Sequence, residues 1–462
     1  MSIQDTVTRH LVETDYKALS TETVEACKKQ TLDMLGVMIA GSTCSISNEM
    51  NGLVNMIKDW GGKKESTILA FGGQVPAPNA ALVNGTFCVR RDFDDTNLMY
   101  GGGHASRAII PTAFAMAERQ KNVTGKEFIT AIALGHDLEC RIAAAAGRGM
   151  SQWYMIQNFF GSAATAGKIL KVDEKKMGYT LCFAFHQMCG ASTGGSAGLG
   201  SLKGLSNGFC CKTGILSALF ADNGFAVDWD ILDPKSRTNF YERFFNGPYT
   251  PLILTSGLGK TFVGAKASQK EFPCCHGQHM TLKATLGLLK EHKVKPDDIA
   301  EVVFHLNLGD YFLLADPTEK KQNPQNIIEA QFSLCWGVAS AIVYGDVGIR
   351  NFTEEALQDK RIRELAKKVF GKPEVELRGT AGLMPVTVEI KLKNGKVYSR
   401  QADQLFGTPE NPMSLDDIAA KFKYCCQYSV KPIPEENQNR VIQIVKDLEK
   451  IKDVGQIVRL LG

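Results

Sequence analysis

Between residues 20 and 41 apolar side chains return about once per helical turn: Val24, Cys27, Leu32, Leu35 and Ile39. That spacing predicts a helix, with Ser20 or Thr21 as its N-cap and Gly41 at its end. The same texture covers most of residues 1–260. "NAALVNGTFCV", "IIPTAFAMAERQ", "GSAATAGKIL" and "CKTGILSALFAD" are apolar and rich in small residues. "TGKEFITAIALGHDLECRIAAAAG" opens on Thr124 as a cap and is apolar almost all round. Small residues on every face predict helices packed closely inside a helical body.

The period changes after about residue 265. In "AEVVFHLNLG", Val302, Phe304, Leu306 and Leu308 alternate onto one face, as in a half-buried strand. "MPVTVEIKLKNGKVYSR" alternates as well, and Asn394-Gly395 predicts a two-residue hairpin turn. Between them "EAQFSLCWGVASAIVYG" and "TEEALQDKRIRELAKKVFG" read as helices, the second capped by Thr353. The tail, from "SLDDIAAKFKYCC" onward, is helical again. The expected fold is mainly α. Residues 1–265 and 400–462 form a large helical domain built from both chain ends, and residues 266–399 form a smaller α+β unit.

Composition narrows the function. The chain has 462 residues, 44% hydrophobic and 22% charged, with a net charge of +4. Charge this balanced argues against general nucleic-acid binding, while leaving room for a local positive pocket. No run of 18 apolar residues occurs, so no membrane span is expected. The polar start and the 13 cysteines read as a cytoplasmic chain with reduced thiols. The cysteine doublets 210–211, 274–275 and 425–426 lack zinc-ligand spacing and read as buried filler.

Three stretches carry candidate chemistry. "RDFDDTNLMYGGGHAS" sets Asp92, Asp94 and Asp95 before a glycine turn and His104. The order does not fit a calcium loop. It fits turn-capping aspartates, or an acid–base pair of Asp and His. The helix expected from "HASRAIIP" offers backbone N–H groups to a carboxylate. "CGASTGGSAGLGSLKGLSNGFCCKTG" is glycine-rich, but neither dinucleotide nor Walker spacing is present. It reads as a loop, mobile or bringing Lys203 close to a ligand. "KEFPCCHGQH" contributes Lys270, His276 and His279, the histidines at a spacing that shares one helix face. His10, His136, His186, His292 and His305 read as packing or surface residues.

Together these segments, with "AQFSLCWGVASAIVYGD", resemble the MmgE/PrpD family in kind and in order along the chain. The resemblance implies a helical domain with a smaller α+β lid. It also implies a homodimer, no organic cofactor or metal, and a small di- or tricarboxylic acid as substrate. It places Asp92, Thr96, His104, Lys203 and Lys270 at active-site positions. Lys203 and Lys270 would bind carboxylates and stabilise carbanion charge. His104 would move the proton. Asp92 would orient a lysine or histidine, or act as base, and Thr96 would donate a hydrogen bond.

The chain also departs from the family pattern. Asn97 replaces the histidine of Asp-Asp-Thr-His, and Ala105 precedes Ser106 where proline is usual. Gln152 or Trp153 stands for a middle-helix histidine. Cys275 stands for another histidine, with His276 beside it, and Trp336 stands for a tyrosine. Asn97, Ser106, His276, Gln152 and Trp336 are therefore the expected substrate-contact positions. The implied function is a cofactor-independent lyase, a dehydratase or decarboxylase. The alternatives are an epimerase of a dicarboxylate such as iminodisuccinate, or a non-catalytic binding protein on the same fold.

Overall fold

The computed structural model describes residues 1–44, 46, 48–97, 103–104, 106–147, 155–188, 200–246, 249–377 and 382–462. It is mainly α, with one four-stranded mixed sheet. The expected caps are in place. Ser20 accepts the Thr23 N–H at the start of helix Thr21–Gly41. Thr124 forms a capping box with Glu127 ahead of helix Gly125–Ala146. Thr353 caps Glu354–Gln358, but Asp359 then caps a separate helix, Lys360–Ala366, and "VFGKP" becomes strand Val369–Pro373. The single helix expected there is thus two helices and a strand.

Apolar burial gathers into two cores. One runs from Val7 to Val263, then takes in Ile349 and residues 413–461. The other runs from Phe272 to Leu405 and includes Cys44. In the first, helices Ala77–Cys88, Asn158–Leu170 and Leu202–Asp222 pack face to face. The glycines make this approach possible. A Cβ on Gly208 would sit 2.4 Å from the Leu82 carbonyl oxygen and 2.5 Å from Thr86 Oγ1. Gly208→Ala is therefore expected to cost about 1–3 kcal/mol, the usual penalty of overpacking; a lowered thermal-unfolding midpoint checks it.

In the second core the sheet order is Val369–Pro373, Ile299–Leu306, Val386–Leu392, Val397–Ala402. Only the first pair is parallel. Val302, Phe304 and Leu306 are buried as their alternation requires. Leu308 does not join them. Asn307 caps a helix from Leu308 to Leu314, and the Leu308 side chain is exposed. The hairpin turn is also longer than expected. Leu392 and Lys396 close a three-residue loop, with Gly395 at φ +85° as the left-handed residue.

Helix Leu202–Asp222 begins earlier than its glycine content suggests. Lys203 is therefore not on a loop but in the first turn of a 21-residue helix. Of the glycine-rich stretch, residues 189–199 lie outside the described residues. The three cysteine doublets are free thiols, all buried except the half-buried Cys275. Among the described residues no helix is long and apolar enough to cross a membrane.

Candidate active site

The site is built on the turn that follows helix Ala77–Cys88. Neighbouring backbone clamps this turn. Arg90 Nε donates to the Cys44 carbonyl at 3.0 Å, Arg91 Nε to that of Ala40 at 2.9 Å, and Gln331 Nε2 to that of Arg90 at 3.0 Å. Asp92 takes a left-handed backbone conformation, φ +50°. For a residue with a side chain that costs about 1–3 kcal/mol, and it persists only where the surroundings impose it.

What imposes it is a pair of lysines from distant parts of the chain. Lys203 is ion-paired to Asp92 Oδ1. Lys270 donates to Asp92 Oδ2 at 2.9 Å and to the Asp92 carbonyl at 2.8 Å. Burial works to raise the Asp92 carboxyl, but the charges of Lys203 and Lys270 outweigh it and hold it below the usual range. On Lys270, burial works downward; Asp92 and then Asp94 overcome it and keep the ammonium charged. The two lysines differ in spare capacity. Lys270 has two N–H donors on Asp92 and lies 3.9 Å from Asp94 Oδ1. Lys203 has one donor on Asp92, and its ammonium lies 4.5 Å from the centre of the Phe332 ring.

Asp94 forms the second half of the cluster. His104 Nδ1 lies 3.0 Å from Asp94 Oδ2, and Arg107 lies 3.5 Å from the same oxygen. Burial opposes ionisation of Asp94; Lys270, His104 and Arg107 together hold its carboxyl low. His104 Nδ1 is also 2.7 Å from the Asp95 carbonyl, which can only accept. The proton of neutral His104 therefore sits on Nδ1, and Nε2 carries the lone pair. Burial shifts the imidazole downward more than Asp94 shifts it upward, so the neutral form is favoured. The His104 side chain is 17% exposed, against 1% for each lysine, so it is more accessible than either of them.

The other expected residues are placed as follows. Thr96 pairs its backbone with Ser268, two residues before Lys270, so one short bridge joins the aspartate turn to the lysine segment. Asn97 pairs with Gly103 through the backbone, and its Nδ2 donates to the Val263 carbonyl at 3.1 Å. Ser106 donates to Asp95 and meets His136 Nε2 at 3.2 Å. His276 and His279 do not project from one helical turn: His276 is in a 3₁₀ turn before helix His279–His292. Their rings stack at 4.9 Å, and His276 Nδ1 is buried without a hydrogen-bond partner. Trp336 stands apart. It is fully buried in the second core, and its Nε1–H is committed to the Asn351 carbonyl at 2.9 Å. Gln152 and Trp153 lie outside the described residues.

Sequence reasoning did not single out Arg107, which reaches Asp94 Oδ2. Of the alternatives expected for Asp92, the contacts are those with lysines, Lys203 and Lys270, and it is Asp94 that meets His104. His136 is buried, as expected of a packing residue, with its Nε2 3.2 Å from Ser106 Oγ. Chemically, two ionised carboxylates, Asp92 and Asp94, face three cations, Lys203, Lys270 and Arg107. These charges lie beside the His104 imidazole, whose Nδ1 is held by the Asp95 carbonyl and Asp94. Such a site suits an anion that gains or loses a proton.

The chain matches the MmgE/PrpD N-terminal domain over residues 5–252 and the MmgE/PrpD C-terminal domain over residues 272–450. It is similar to the cis-aconitate decarboxylase of Homo sapiens, 24% identical over 462 residues covering 96% of this chain and 91% of that protein. It is 23% identical to the Mus musculus cis-aconitate decarboxylase, covering 95% and 89%. It is 22% identical to that of Aspergillus terreus, covering 86% and 83%. With both domain families matched in order along nearly its whole length, the chain belongs to the MmgE/PrpD family of enzymes.

Proposed function

We propose that this enzyme is a cofactor-independent lyase, a decarboxylase or dehydratase of a small di- or tricarboxylic acid. The carrying observation is the convergence of Lys203 and Lys270 on Asp92, beside His104 with its Nδ1 on the Asp95 carbonyl. Loss of CO2, or of a proton beside a carboxylate, leaves an electron pair that needs nearby positive charge. Lys203 binds a substrate carboxylate with its remaining donors. Lys270, bound to Asp92 and close to Asp94, fixes the cluster and supplies charge. His104 moves the proton through Nε2, and Asp94 stabilises the imidazolium that forms, as a carboxylate does for a catalytic histidine. Phe332 and Lys270 come from the second unit, which we read as a lid completing the site. The relatives' names favour decarboxylation. A resting neutral histidine serves dehydration directly, since Nε2 can accept the α-proton; for decarboxylation Nε2 must first take up a proton from solvent, which the imidazolium then delivers to the carbanion left by CO2.

The test is a panel of di- and tricarboxylates followed by NMR in D2O. Release of CO2 or water from at least one acid is expected. Exchange of a C–H for C–D with no product would make the enzyme an epimerase, and inertness toward every acid would remove the reading.

A further inference from the structure

Helix Leu415–Cys426 buries Ile418, Phe422 and Cys425 at helical spacing, and Lys421 lies on the same buried face. A core position is thus filled by a charge. The helix packs on Thr21–Gly41, and the two come close at Gly36, where an added Cβ would lie 3.0 Å from Phe422 Cα and 3.3 Å from Cys425 Cβ. Asp33 stands about one turn before Gly36, and this approach seats it against Lys421, whose Nζ lies 2.7 Å from Asp33 Oδ1. Lys421 is 8% exposed and Asp33 1%.

The same ammonium reaches the catalytic turn. It donates to the Phe93 carbonyl at 2.9 Å and lies 3.8 Å from the centre of the Phe93 ring. Phe93 stands between Asp92, which meets the lysines, and Asp94, which meets His104. Lys270 holds the preceding carbonyl, that of Asp92, at 2.8 Å. Two successive carbonyls of the turn are therefore each bound by a buried ammonium, one from each core. A buried ion pair is weak evidence for stability, since apolar side chains of similar volume often replace it at no cost. What apolar side chains cannot supply is a donor for the Phe93 carbonyl.

We propose that Lys421 is a positioning residue for the catalytic turn: paired to Asp33, it holds the Phe93 carbonyl and so fixes the backbone from which Asp92 and Asp94 diverge. Without that hold, Asp94 and the Asp95 carbonyl, the two partners of His104 Nδ1, shift away from the ring. The consequence for turnover rests on the lyase reading above; the placement of His104 does not.

The test compares Lys421→Met with the double variant Lys421→Met/Asp33→Leu in the full chain. The single variant leaves Asp33 buried without its counter-charge and is expected to unfold at a lower denaturant concentration. The double variant removes both charges and should return close to the wild type. NMR of the His104 ring without substrate reads its placement. In the wild type the Nδ1 proton, held by the Asp95 carbonyl and Asp94, should give a resolved, slowly exchanging resonance. In the double variant that resonance should broaden or vanish although the fold is stable. With an active substrate, kcat should fall by about 10–100-fold in both variants, the cost of misplacing a reacting group by up to an ångström, with KM little changed. A double variant as stable as the wild type that keeps the wild-type His104 resonance overturns the proposal. So does a kcat that recovers together with stability, the behaviour of a purely structural ion pair. Loss of the resonance in a protein inert toward every acid upholds the positioning role and removes only the lyase reading.

Discussion

Lys270→Met is expected to abolish turnover and to lower the stability of the fold by about 3–5 kcal/mol, the cost of removing one partner from a buried charge cluster. The side chain is 1% exposed, and it neutralises Asp92 while lying 3.9 Å from Asp94. Methionine fills a similar volume, so the loss is electrostatic. Asp92 would keep Lys203, but Asp94 would depend on His104 and Arg107 alone, and the left-handed turn at Asp92 would lose the ammonium bound to its carbonyl. Chemical denaturation of the single variant measures the cost. The double variant Lys270→Met/Asp92→Asn removes one charge of each sign and should recover part of the stability, with no recovery of activity. If Lys270→Met unfolds at the wild-type denaturant concentration, the lysine–aspartate cluster does not hold the turn.

Much of this site was legible because its chemistry is local in type even where it is distant in sequence. Asp92, Lys203 and Lys270 stand in segments whose residue pattern marks them, and the structure brings them together although Lys270 lies 178 positions from Asp92. The helix caps were legible for a simpler reason: Ser20, Thr124 and Thr353 answer to neighbours three residues on. Which aspartate meets the histidine was not legible. Asp92 and Asp94 are two positions apart, and only the reversed backbone at Asp92 turns one toward the lysines and the other toward His104. Strand Val369–Pro373 was missed because it is short and runs straight on from a charged helix; its pairing beside Ile299–Leu306 is a tertiary contact.

His104→Ala is expected to lower turnover by at least about 100-fold, the low end of what a positioned acid or base contributes, and to leave the fold intact. The two halves of that expectation have separate causes. The ring is the most open group of the cluster, so its removal leaves a space that water can enter. Nδ1 contributes one hydrogen bond to the Asp95 carbonyl and one contact to Asp94, and Asp94 retains Arg107 and Lys270. Stability should therefore change far less than in Lys270→Met. The chemistry has no such substitute, because among the described residues of the cluster only His104 joins an imidazole to a carboxylate that stabilises its charged form. Asp94→Asn separates the carboxylate's charge from proton transfer. The Asp95 carbonyl still holds the Nδ1 proton, so the tautomer is kept while the negative charge that stabilises the imidazolium is lost. Turnover should then fall by about tenfold, the effect of roughly one pKa unit, and less than in His104→Ala. His104→Ala with near-wild-type kcat would remove the histidine from the mechanism. Full activity in Asp94→Asn alone would keep the histidine and remove the carboxylate's part in it.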